Sequence, residues 1–141
     1  MIKQLRDKLK EKLDTLTGTW QPLSVVYDHM EIKPSWYPCA MIDFNNLWSE
    51  YADSCNNKNI INFNIYIMQE TAKKIRNDAI DDIEDIIYKI INLLNTDTTL
   101  WWTVNNILPV WWDVSEYTNW NNWEYIWGIV SISIEDFYFL W

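Results

Sequence analysis

Residues 61–69 read Ile61-Asn62-Phe63-Asn64-Ile65-Tyr66-Ile67-Met68-Gln69. Ile61, Phe63, Ile65 and Ile67 alternate with Asn62, Asn64, Tyr66 and Met68. Successive side chains of an extended chain point to opposite faces, so the pattern predicts a strand with one face in a core. The polar run before it, Asp53 to Asn59, predicts a turn. Before that turn, Tyr37-Pro38-Cys39-Ala40-Met41-Ile42-Asp43-Phe44 is apolar and preceded by prolines, the pattern of a buried strand starting at or near Pro38. A connection this short cannot hold a crossover, so the two strands are expected to pair as an antiparallel hairpin over residues 37–69.

The apolar face of a hairpin needs a cover, and two amphipathic segments can supply it. In residues 2–16, Ile2, Leu5, Leu9, Leu13 and Leu16 recur at spacings of three and four, which is one stripe of a helix that Gly18 then ends. The second stripe is Ile75, Ala79, Ile83, Ile86, Ile90 and Leu94, widened by Ile80, Ile87 and Ile91, and predicts a long helix over residues 77–95. With Asn77 as N-cap, Asp78, Asp81 and Asp82 fall in the first turns, where the helix dipole favours anions; a start at Thr71 is the alternative. Residues 17–36 form a connection punctuated by Pro22 and Pro34, with a short strand at Val25-Val26-Tyr27. Residues 108–135 predict a second antiparallel pair: Pro109-Val110-Trp111-Trp112-Asp113-Val114, a turn from Thr118 to Asn122, then Ile126, Gly128, Val130, Ile132 and Ile134 alternating with Trp127, Ile129, Ser131 and Ser133. The expected fold is α+β: one domain over residues 1–141, with an antiparallel β-sheet of about four or five strands packed by the long helix, and an N-terminal amphipathic helix.

Size and composition agree with a folded single domain, since the chain has 141 residues of which 49% are apolar and 22% charged. The formal net charge of -9 argues against a nucleic-acid ligand, whose phosphates are bound mainly by Lys and Arg. The charge is also uneven. Lys3, Arg6, Lys8, Lys10 and Lys12 crowd the first helix, whereas nothing basic follows Lys89. Such asymmetry is either an ordinary solvated surface or a means for opposite faces of two copies to meet head to tail. Cys39 and Cys55 are too few for a disulfide framework, which suggests a reducing compartment. Met1 leads directly into a charged helix without the apolar core of a signal peptide, and no run approaches the roughly 20 apolar residues of a membrane span. A soluble protein made in a cytoplasm, with no membrane partner, is therefore expected.

No catalytic set emerges. The single histidine, His29, lies in the connection, which leaves no histidine-based triad or multi-histidine metal site. The only glycines, Gly18 and Gly128, cannot form a phosphate-cradling loop. Asp81, Asp82, Glu84 and Asp85 are opposite the isoleucine stripe and read as the solvated helix face rather than a metal or general-base site. Cys39, among apolar residues, reads as a small hydrophobe and not a nucleophile. No catalytic, metal-binding or cofactor-binding residue is assigned, and the chain is not expected to be an enzyme.

The eleven tryptophans are more than a small core can hide. Trp101, Trp102, Trp111, Trp112, Trp120, Trp123 and Trp127 fall in the last third. A Trp-Trp pair in a strand must turn one ring outward. Outward rings serve either as anchors for protein contacts or as a sugar-stacking platform; the former is preferred because assembly also uses the charge asymmetry. Trp101, Trp102, Trp111, Trp112, Trp120 and Trp123, with the basic Lys8 and Lys12, are the candidate interface residues, and an aromatic glycan-binding module is the alternative.

In its order of elements, with a strand starting at Tyr37-Pro38-Cys39-Ala40-Met41-Ile42, the chain resembles the tail terminator of long-tailed bacteriophages of the phage lambda type across nearly its whole length. In that family an aromatic-Pro-Ala-Val strand stands in this place, and the hairpin strand, helix and final strand follow at similar spacing. Cys39 departs from the small residue expected after the proline, and the extra tryptophans are not a trait of the family. The resemblance implies a tail-terminator-like fold and a homohexameric ring at the head-proximal end of the virion tail. Such a ring caps the tail tube, ends its polymerisation and offers a surface for head-tail joining. Its implied partners are other copies of itself, the tail tube protein and the neck or connector proteins, with viral DNA passing an acidic lumen without specific binding. Proteins of the phage neck and head-tail connector share the layout and are the nearest alternative.

Overall fold

The first helix, α1, runs from Ile2 to Asp14 and buries Leu5, Leu9 and Leu13. It ends two residues before the apolar stripe does, because its last carbonyls find other donors. Leu16 N–H donates to Leu13 O at 2.9 Å, and the hydroxyls of Thr15 and Thr17 donate to Lys12 O at 2.7 Å and Asp14 O at 2.6 Å. The computed structural model of the chain describes residues 2–31, 34–51, 56–70, 76–97, 106–118 and 124–139.

After α1 come β1 (Val25–Tyr27), β2 (Cys39–Tyr51), β3 (Asn56–Glu70), α2 (Arg76–Thr96), β4 (Asn106–Thr118) and β5 (Glu124–Phe139). The five strands form one sheet in the order β1-β2-β3-β5-β4. The fold is α+β as expected, and β2 and β3 pair antiparallel, Cys39 opposite Met68 through to Tyr51 opposite Asn57. Two features correct the expectation. The sheet is mixed rather than antiparallel, because β1 runs parallel to β2 with Val25 opposite Cys39 and Tyr27 opposite Met41. The chain between them is long enough to return to the same end of the sheet, which a tight turn could not do. The two hairpins are also fused. β5 lies between β3 and β4 and pairs with β3 along its whole length, from Asn56 opposite Phe139 to Glu70 opposite Tyr125. The apolar face of β3 thereby continues into Val130, Ile132 and Ile134.

Boundaries moved for related reasons. β2 extends past Phe44 to Tyr51, and Asn56 to Asn59, expected in a turn, belong to β3. Asparagine is a poor strand former, but here it has a strand on both sides, and tertiary pairing overrides propensity. Helix α2 starts at Arg76, so Asn77 lies inside the first turn and does not cap it. Ile75 and the alternative start at Thr71 lie outside the described residues.

One apolar cluster joins Leu5, Leu9 and Leu13 of α1, Ala79, Ile83, Ile86, Ile87, Ile90 and Leu94 of α2, and one face of the sheet. Both helices therefore pack on the same face. Full burial of each large side chain stabilises the fold by about 1.5–3 kcal/mol. Helix α2 packs closely on β5 at Gly128, where an added Cβ would lie 2.7 Å from Ile87 Cδ1 and 2.9 Å from Ile83 Cγ2. Among the described residues no helix is long and apolar enough to cross a membrane.

Candidate interaction surface

The residues nominated from the sequence meet different fates. Lys8 lies on the outer side of α1, its Nζ 3.3 Å from Glu11 of the same helix. Lys12 is buried, and its Nζ binds Asp97 at 3.0 Å, which ties the end of α1 to the end of α2. That contact is internal, so Lys12 is corrected from interface cation to structural tether. Trp111 and Trp112 are in β4, opposite Ser131 and Val130, just after a bulge that follows Pro109. Their side chains, and all of Trp101, Trp102, Trp120 and Trp123, lie outside the described residues.

The sheet face away from the helices carries a polar ladder and an aromatic stack. Asn62 Nδ2 donates to Asn46 Oδ1 at 2.6 Å, and Ser131 Oγ donates to Asn64 Oδ1 at 2.7 Å. Beside this ladder Tyr66 stacks on Trp127 with ring centroids 5.4 Å apart. Towards β1 the connection folds over the face, with Glu31 N–H donating to Met41 Sδ at 3.4 Å, and both Met41 and Cys39 are fully buried. Burial pushes the Cys39 thiol up to about 12, so it stays protonated and poorly nucleophilic at neutral pH. Tyr37 packs on Tyr125 at 5.6 Å, and burial followed by its hydrogen bond to Tyr125 holds its hydroxyl well above the usual tyrosine range. His29, exposed, shares a 2.7 Å hydrogen bond with Asp28, which raises the imidazole pKa and lowers that of the carboxyl.

Two exposed regions stand out. β1 covers β2 only over Cys39 to Met41, and beyond it Leu47 and Trp48 are exposed. The other region centres on Trp20, which is 97% exposed. Gln21 N–H donates to Gly18 O at 3.2 Å, placing Trp20 third in a four-residue turn with φ of 66°. Type II turns need a positive φ there and normally use Gly or Asn; a β-carbon in this region costs roughly 1–2 kcal/mol. Beside Trp20 is a cleft of about 270 Å³ lined by Pro22, Pro38, Asp82, Asp85, Ile86 and Lys89. Asp81, Glu84 and Asp85 are exposed along α2, so the acidic cluster is the solvated helix face.

Attention to tryptophans of the last third missed Trp20. The signal was present, since an aromatic between Gly18 and Pro22 sits where turn chemistry keeps side chains out of a core. Among the described residues no three of His, Cys, Asp and Glu converge as a metal-binding group. No protein-family model matches the chain, and no curated protein matches it in sequence. The described surface thus has a turn that displays an indole, an acidic helix, and a sheet face without a helical cover.

Proposed function

We propose that the chain is a structural virion protein of the tail-terminator kind, forming a ring that caps a phage tail tube and presents a surface for head-tail joining. The order of elements carries this reading: helix, short strand, a hairpin opening at Tyr37-Pro38-Cys39, long helix, and two closing strands in one sheet. A helix-free sheet face and an exposed indole leave surfaces for neighbouring copies, and heterologous contacts close into rings when their rotation fits. Mass photometry and negative-stain microscopy are expected to find rings, free or on the ends of tail tubes. A strictly monomeric protein that also ignores tail tubes overturns the proposal; binding to connector rings alone favours the neck-protein alternative. An aromatic glycan-binding module is the second reading, supported by Trp36 and Trp48, 68% and 46% exposed. Quenching of tryptophan fluorescence across an oligosaccharide panel tests it, and silence throughout removes it.

A further inference from the structure

Trp20 has a conformation that no packing of its side chain on the described residues rewards. Its backbone occupies a region suited to glycine, and its ring, 97% exposed, adds no packing to the fold. We infer that Trp20 and the cleft beside it are a contact surface for a second copy of this chain, receiving the basic arc of that copy's α1. The cleft, about 270 Å³, suits one long side chain. An indole and two prolines can hold the aliphatic stem of a lysine or arginine, and Asp85 with Asp82 can meet its charge in place of Lys89, which also lines the cleft and binds Asp85. The wider α2 face adds Asp78, Asp81 and Glu84, all exposed. The matching charge lies on α1, where Lys3 is exposed and Lys8 and Lys10 are partly so. The exposed pairs now engaging these groups, Lys3 with Asp7 and Lys89 with Asp85, each at 2.9 Å, are of a weak class that exchanges readily. A chain's own α1 cannot make this contact, since Leu5, Leu9 and Leu13 hold it in the core and Lys12 holds it to Asp97.

The contact joins two different surfaces, so it repeats head to tail. It rests on the assembly reading and gives that assembly a surface. Three variants test it by sedimentation velocity and thermal melting: Trp20→Gly, the acidic-face reversal Asp81→Lys with Asp85→Lys, and the α1 reversal Lys3→Glu with Lys8→Glu. Trp20→Gly is expected to weaken self-association by roughly thirty-fold or more, the scale of losing an aromatic anchor, while the melting temperature holds or rises. Each reversed chain alone is expected to fail to assemble. An equimolar mixture of the two is expected to assemble, because every contact in an alternating arrangement is again between opposite charges. Wild-type-like association of Trp20→Gly, a fall in its melting temperature, or a mixture that stays dissociated overturns the inference. If the wild-type chain assembles but ignores all these changes, only this contact fails; if it never assembles or binds tail tubes, the ring reading fails with it.

Discussion

The two faces of β3 are built from the same strand and behave as different materials. Ile61, Phe63, Ile65 and Ile67 are completely buried under the helices, while Asn62, Asn64, Tyr66 and Met68, one residue out of phase, are only half-buried. The buried face holds the fold together through close-packed volume, where each methylene counts. The other is held by hydrogen bonds and a ring stack that water can partly replace. A one-residue slip would exchange them, so the register of this strand decides which face is core and which is surface.

The sharpest way to break this comparison is to truncate a ring on each face. Phe63→Ala is expected to cost about 4 kcal/mol, because it opens a cavity in the buried core, and Tyr66→Ala less than half of that. Urea denaturation measures both, and equal losses would mean that the faces are not distinct. Gly128→Val should cost about 2 kcal/mol, since its Cβ already falls within 3 Å of Ile83 and Ile87 and the overpacked helix must shift. The ladder is tested by Asn64→Ala, which removes the acceptor for Ser131 and should cost no more than about 1 kcal/mol. A larger loss would make that face structural.

The smallest expected effect belongs to His29 and Asp28, in the connection. The raised His29 pKa contributes stability below the imidazole's ordinary value that is lost as pH rises through the folded value. The lowered Asp28 pKa contributes stability above the carboxyl's ordinary value that is lost as pH falls through its folded value. The pair is therefore most effective between the two, and its exposure keeps the effect slight. NMR titration of the single histidine should give a midpoint above 6.5 that moves back toward it in Asp28→Asn; an unshifted wild-type midpoint would show that the pair does not form in solution.

Periodicity made the elements legible, and it could not show how they are wired. The alternation of residues 61–69 and 126–134, and the stripe of α2 from Ala79 to Leu94, matched the burial found. The placement of β5 between β3 and β4 was hidden, because an alternating strand announces its buried face but not its neighbours. The parallel pairing of β1 was hidden as well, since three residues in a punctuated connection carry no sign of direction. Of the candidate surface, charge asymmetry was readable from composition. Lys12 was misassigned because a basic residue beside a leucine stripe looks solvated until Asp97, far along the chain, is brought to it. Trp20 was legible as an aromatic in a turn between Gly18 and Pro22, but its glycine-like backbone angle was not.

The position of β5 also sets an order of events for a chain emerging from a ribosome. The hairpin of β2 and β3 can close early, but one long side of β3 must wait while α2 and then β4 are made, and β4 has no partner until β5 arrives. During that interval an isoleucine-rich sheet edge is open to other nascent chains, the kind of species that aggregates or recruits chaperones. Slow refolding, with losses that grow with protein concentration, is the expected signature of a sheet whose inner strand is delivered last.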